Sequence, residues 1–104
     1  MWFVYIIVSK RFGSYYVGST TDVGQRLAKH NSGRGSKHTR SRRPYDLAYS
    51  VALNSKSLAL KVEAQLKRLT HQQKAEFVTG RFLVAIPGQS HLNLSQRYYL
   101  KAAV

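Results

Sequence analysis

No cysteine occurs among the 104 residues, which excludes a disulfide framework, a thiolate zinc site and a thiol nucleophile. Acids are nearly as scarce. Asp22, Asp46, Glu63 and Glu76 are the complete set, against seventeen lysines and arginines, for a formal net charge of +13. Four scattered carboxylates do not easily supply the cluster of a two-metal site, whose ions sit roughly 4 Å apart. Any metal site is therefore expected to hold one ion on one protein carboxylate, with water and substrate phosphate completing the shell. No apolar run approaches the roughly 18 residues that a membrane span requires. The apolar start, Met1 to Val8, lacks a basic leader before it and a small-residue cleavage site after it. It reads as a buried strand, not a signal peptide, and the expected compartment is the cytoplasm. No basic amphipathic helix with a bulky apolar face appears, which argues against a membrane partner.

What the chain does have is positive charge on an ordinary globular background of 43% hydrophobic residues. Its length suits one domain with a modest core. The charge imbalance points to a polyanionic partner, nucleic acid above all, because neutralising phosphates releases condensed counterions. Charge alone does not separate an enzyme from a binding module.

Patterning predicts a β-β-α-β-α-α order. Residues 2–8 and 15–20 are rich in Tyr, Val, Ile, Phe and Thr and flank a Gly-containing turn, the pattern of a β-hairpin. A helix is expected from a Thr21 cap, with Asp22 in its first turn, to about Asn31, where Asn31-Ser32-Gly33 ends it. Residues 32–44 are expected to form a basic loop closed by Pro44. Tyr45 to Leu53 carries a third strand. A second helix is expected from Asn54-Ser55 to about Leu69, with the apolar stripe Leu58, Val62, Leu66 and Leu69. Thr70-His71-Gln72-Gln73 has the form of a capping box opening a third helix to Val78. Beyond it, 82–86 reads as a strand and 94–103 as a terminal helix. The fold class is α/β (α+β), a small three-stranded antiparallel or mixed sheet flanked by helices.

Several residues carry chemistry in this pattern. Tyr5 and Tyr16, taken singly, are ordinary strand tyrosines, and whether they share a sheet face depends on the hairpin register. Arg26 and His30 are four apart, hence neighbours on one helix face beside the Val23/Leu27 stripe, while Gln25 and Lys29 point to solvent. Glu63 borders the core-facing side of its helix, and its simplest role is an i,i+4 ion pair with Lys67. Arg34, Lys37, Arg40, Arg42 and Arg43 place five cations in ten residues of loop, accompanied by His38. Gly33 and Gly35 would let the loop backbone approach phosphates. Tyr45 and Tyr49 read as core residues or as stacking platforms for unpaired bases.

Phe3-Val4-Tyr5 and Tyr16-Val17-Gly18 resemble the two halves of the GIY-YIG signature, with residues 6–15 between the tyrosines. Thr20-Thr21-Asp22, Arg26, His30-Asn31, Gly33-x-Gly35, Thr39-Arg40, Arg42-Arg43-Pro44 and Glu63 within Leu60 to Lys67 add to the resemblance, over about residues 2–78. Together they resemble the small stand-alone bacterial branch of the GIY-YIG nuclease superfamily. Phe3 and Val4 depart from the signature, and Ala75 stands where some relatives carry an asparagine.

The resemblance implies a nuclease-like domain over 1–80, with 81–104 an extension packed on it. It implies a metal-dependent DNA endonuclease using one Mg2+ or Mn2+ ion. In that reading Tyr5 is general base or proton relay, with Tyr16 and His30 in its network. Arg26 meets the scissile phosphate, Glu63 holds the metal, and Lys67 contacts phosphate or modulates that carboxylate. A free phenol is only about one part in a thousand ionised at pH 7, a deficit of roughly 4 kcal/mol that neighbouring charge must offset. The expected partner is DNA, single-stranded, branched or duplex, in repair or recombination; RNA stays open, and the sequence sets no oligomeric state. The competing reading is a non-catalytic basic nucleic-acid-binding module on the same scaffold.

Overall fold

The computed structural model describes residues 1–35 and 37–81. Three strands, β1 (Trp2–Ser9), β2 (Tyr15–Thr20) and β3 (Tyr45–Leu53), form one sheet in the order β2-β1-β3. Both pairings are antiparallel, which resolves the expectation of an antiparallel or mixed sheet. Four helices complete the described chain: α1 (Val23–Asn31), α2 (Lys37–Arg40), α3 (Lys56–Lys67) and α4 (His71–Val78). The strand expected at 82–86, the helix expected at 94–103 and the placing of the extension lie outside the described residues.

Helix ends follow from local chemistry. Ser55 caps α3 by accepting from Leu58 N–H, and Thr70 and Gln73 close a reciprocal capping box on α4. The start of α1 differs from expectation. Asp22, not Thr21, is the cap: its carboxylate accepts from Gln25 N–H at 2.9 Å, while Thr20 Oγ1 accepts from Asp22 N–H. A carboxylate there also faces the positive end of the helix dipole. Gly33, at φ +86°, turns the chain out of α1 in the left-handed region open to glycine. The basic segment expected as a loop contains α2, a single helical turn.

Strand alternation splits the buried residues into two layers. Val4, Ile6, Val17, Tyr49, Val51 and Leu53 face α3 and α4 and pack on Ala59, Val62, Leu66 and Phe77. Tyr5, Ile7 and Tyr45 face the other way, against Val23 and Leu27 of α1. The main contacts of α3 are with β1 and β2, and those of α1 with β3 and β1, so the helices cover opposite faces with an offset.

A register shift on β3 decides one expectation. Ile6 pairs with Tyr49 but Ile7 with Leu47, which leaves Ala48 as an extra residue. The bulge sends Tyr45 and Tyr49 to opposite faces although they sit at strand spacing. Both are buried, so neither is a stacking platform.

Candidate active site

The hairpin register places Tyr5 opposite Gly18 and Ile7 opposite Tyr16, so Tyr5 and Tyr16 share the α1 face. Their rings lie 6.4 Å apart. The Tyr5 phenol crosses the edge strand above Gly18: a Cβ at Gly18 would fall 2.5 Å from the Tyr5 oxygen. Glycine is needed here for space, its φ being ordinary.

From the opposite side comes His30, the buried residue of α1. Its Nε2 lies 3.1 Å from the Tyr5 oxygen, and its Nδ1 lies 3.0 Å from Thr39 Oγ1 on α2. Tyr5, His30 and Thr39 are 1%, 3% and 0% exposed, so this hydrogen-bonded line runs inside the protein. Gly35 seals it, since a Cβ there would stand 2.7 Å from both His30 Nδ1 and Thr39 Oγ1. The two loop glycines thus make room for protein contacts. Gly33 is likewise covered by the Arg43 guanidinium.

The electrostatics favour neutral groups. Burial, then the neighbouring Tyr16, pushes the Tyr5 phenol up to about 12, while the Arg26 guanidinium, by charge and hydrogen bond, pulls the other way. Burial also lowers the His30 imidazole from its ordinary value of 6.5, helped by the cations Arg26 and Lys29. At neutral pH the line joins a neutral phenol to a neutral imidazole. One ring nitrogen therefore donates and the other accepts.

Beside this line is a cationic recess lined by Tyr16, Arg26, Lys29, His30, Arg34 and Gly35. It adjoins a second hollow that shares Arg26, Lys29 and Arg34 and adds Thr20, Thr21 and Gln25. Arg26 is half-buried, whereas Arg34, Lys37, Arg40 and Arg43 are exposed. Arg42 is half-buried and lies over the Phe12 ring at 5.7 Å.

Glu63 belongs to the opposite layer. One carboxylate oxygen accepts from Ser19 Oγ at 2.6 Å, and Ser19 points to the α3 side of β2. The other pairs with Lys67 Nζ at 2.8 Å, so the i,i+4 ion pair expected from spacing is present. That hydrogen bond chiefly holds the Lys67 amine above its ordinary range, and Tyr16 adds to the shift. Glu63 also contributes to raising Tyr5. Glu63 and Lys67 therefore sit within electrostatic reach of the tyrosines, across edge strand β2 and not on their face. The side chain is 16% exposed. Among the described residues no three His, Cys, Asp or Glu side chains gather as a metal cage. A lone, half-buried carboxylate with free lone pairs fits an ion that keeps waters and is recruited with substrate phosphate.

Sequence reasoning gave no part to Ser19, and it used Thr39 and Asn31 only as motif members and, for Asn31, as a helix end. The Asn31 amide donates to Tyr45 C=O and accepts from Tyr45 N–H, at 3.0 and 2.7 Å, which ties the end of α1 to the start of β3. These residues carry no periodic signal; their partners are distant in sequence.

A three-stranded antiparallel sheet that crosses a tyrosine pair with an arginine and a histidine from the following helix defines a class. Residues 1–76 match the model of the GIY-YIG catalytic domain, and the chain belongs to that family, whose domain is a nuclease domain. In sequence it is 49% identical over 73 residues to a UPF0213 protein of Streptococcus pneumoniae serotype 4, covering 70% of this chain and 74% of that one. It is 46% identical over 76 residues to a UPF0213 protein of Cupriavidus pinatubonensis, covering 73% and 83%. Among solved structures it is similar to the solution NMR structure of a UPF0213 protein from Bacillus halodurans. The identity is 42%, the coverage 76% of this chain and 84% of that one, and the TM-score 0.49. The names of these relatives state no activity. No helix among the described residues is long and apolar enough to cross a membrane.

Proposed function

We propose that the protein is an endonuclease that hydrolyses DNA phosphodiester bonds by in-line attack of water, on single-stranded or branched DNA, in the cytoplasm. The observation that carries this reading is the buried Tyr5–His30–Thr39 line running beside the Arg26 recess. The recess takes the scissile phosphate, and Arg26 stabilises the negative charge that develops on it. Arg34, with Lys37, Arg40, Arg42 and Arg43, tracks the flanking backbone. Tyr5 works as a proton carrier, not as a standing phenolate. With its pKa near 12, ionising it at pH 7 costs about 7 kcal/mol. Accepting a proton from water while passing its own to His30 Nε2 avoids that cost. Tyr16, half-buried in the recess wall, faces the substrate. Glu63 would hold one Mg2+ or Mn2+, on a carboxylate that Lys67 pairs with at 2.8 Å. Such an ion would supply polarisation of a phosphate oxygen and charge stabilisation for the leaving group.

A labelled-oligonucleotide panel of single-stranded, branched and blunt duplex DNA, assayed with Mg2+ or Mn2+ and with chelator, tests this. Cleavage is expected with metal and absent with chelator. Arg26→Ala should lower the rate about a hundred- to a thousandfold, and Glu63→Ala should remove the metal response. Near wild-type cutting by either variant removes that residue from the mechanism, and cutting confined to plain duplex discards the substrate preference. Inactivity on every substrate leaves the non-catalytic binding module, which the Glu63–Lys67 ion pair on the far layer favours.

A further inference from the structure

The β1–β2 turn takes no part in the reading above, yet it holds Phe12, 58% exposed and the only Phe, Tyr or Trp among the described residues left in the exposed class. The backbone around Phe12 is tied down by hydrogen bonds. The hydroxyl of buried Ser9 accepts from Arg11 N–H and Phe12 N–H at 3.2 and 3.0 Å. The same hydroxyl donates to Arg42 C=O at 2.6 Å, and Lys10 N–H donates to Pro44 C=O at 2.9 Å. Gly13, at φ +73°, closes the turn. The turn is thus bolted to the end of the basic segment. An exposed phenyl ring on a fixed frame loses little conformational freedom on binding, which favours a recognition role.

Two guanidiniums lie over the ring, Arg11 at 5.2 Å and Arg42 at 5.7 Å. They come from separate segments, so the geometry is tertiary. The one acid nearby, Asp46, reaches Lys10 at 4.0 Å in an exposed pair of little weight. An exposed ring with two guanidiniums over it fits a nucleobase, which stacks on an aromatic ring or on a guanidinium plane, together with its adjacent phosphates. In duplex DNA both faces of every internal base are already stacked, so the fit is to an unpaired base. The platform lies near the recess: Arg42 acts on the buried Tyr45 phenol, and the Tyr45 ring lies 6.0 Å from His30, which lines the recess.

We infer that Phe12, with Arg11 and Arg42, is a stacking platform for one unpaired base of a DNA strand that continues from the Arg26 recess. The continuation rests on reading that recess as the phosphate site; the platform itself does not require cleavage.

Fluorescence anisotropy in chelator, with a labelled single strand and a blunt duplex, separates the two. Phe12→Ala should weaken single-strand binding roughly 5- to 150-fold, the loss of one stacked base. Duplex binding should change less than twofold, and Phe12→Trp should bind the single strand like wild type. The slope of log affinity against log salt should not move in Phe12→Ala, but should fall by about 0.7 in Arg11→Gln. Single-strand affinity within twofold of wild type in Phe12→Ala, or equal losses on strand and duplex, overturns the platform. Tighter binding of the matching oligoribonucleotide overturns the DNA assignment. Because chelator stops cleavage, a failed platform leaves the nuclease reading intact, and an inactive enzyme leaves the platform result standing.

Discussion

The two faces of one three-stranded sheet are built from the same strands and differ in almost everything else. The α3/α4 face is dry and apolar: Val4, Ile6 and Val51 meet Val62, Leu66 and Phe77. The α1 face buries Tyr5, His30 and Thr39, whose polar atoms must find partners inside the protein or cost free energy. The first face does what any small core does, removing apolar surface from water. The second holds a buried hydrogen-bonded line from Tyr5 through His30 to Thr39 and keeps it next to concentrated positive charge. The contrast shows side-chain alternation sending the apolar core to one side of a sheet and a buried polar line to the other, with the Glu63–Lys67 pair at the β2 edge of the apolar side.

Substitutions on the two faces should therefore have different signatures, and the largest effect is expected on the dry side. Phe77 is fully buried and meets Tyr49 edge-on, the ring centroids 4.7 Å apart. Phe77→Ala should cost about 3–5 kcal/mol in urea unfolding while leaving the rate per folded molecule unchanged. An equal loss of specific rate would break the division between faces.

The next effect belongs to Tyr5. Its folded pKa of about 12 exceeds the ordinary 10, so the folded state binds its proton more tightly than the unfolded chain does. The associated stability is full below pH 10 and is lost as pH rises toward 12, by about 3 kcal/mol for a shift of two units. Unfolding curves from pH 9 to 12 should show a decline in wild type that is shallower in Tyr5→Phe. Identical curves would mean that the phenol is not held in a protonated, buried state.

The smallest effect should come from Thr39, a positioning residue that touches no substrate. Thr39→Val removes the oxygen facing His30 Nδ1, a loss on the order of 1 kcal/mol, and should lower kcat roughly tenfold with little change in KM. Thr39→Ser should recover most of it, and nitrogen NMR of the His30 ring should report a changed tautomer in Thr39→Val alone. A wild-type tautomer in that variant would separate Thr39 from the proton line.

Much of this was legible in the sequence, and the exceptions have physical reasons. Arg26, His30, Val23 and Leu27 fall on their faces of α1 because helical period alone fixes them. The capping box at Thr70 and the stripe of α3 are local patterns and appear as expected. The opposite fates of Tyr45 and Tyr49 were illegible, because one extra residue in a strand leaves no compositional mark. The α1 cap moved by one residue, since Thr20, Thr21 and Asp22 all suit capping and only the turn geometry chooses. Thr39 and Gly35 looked like members of a basic loop; their contact with His30 spans turns that sequence spacing does not encode.

The sequence by itself determined the order of the three strands and three longer helices, the excess of positive charge and the family, because periodicity, composition and a chain of ordered motifs are properties of neighbours along the chain. Only the tertiary structure decided that Tyr5 lies across Gly18 to meet His30, that Glu63 stands on the far layer, and that Phe12 is bolted to the basic segment. Those outcomes depend on hairpin register, a bulge and side-chain bonds between residues 25 to 44 positions apart, where no local preference operates.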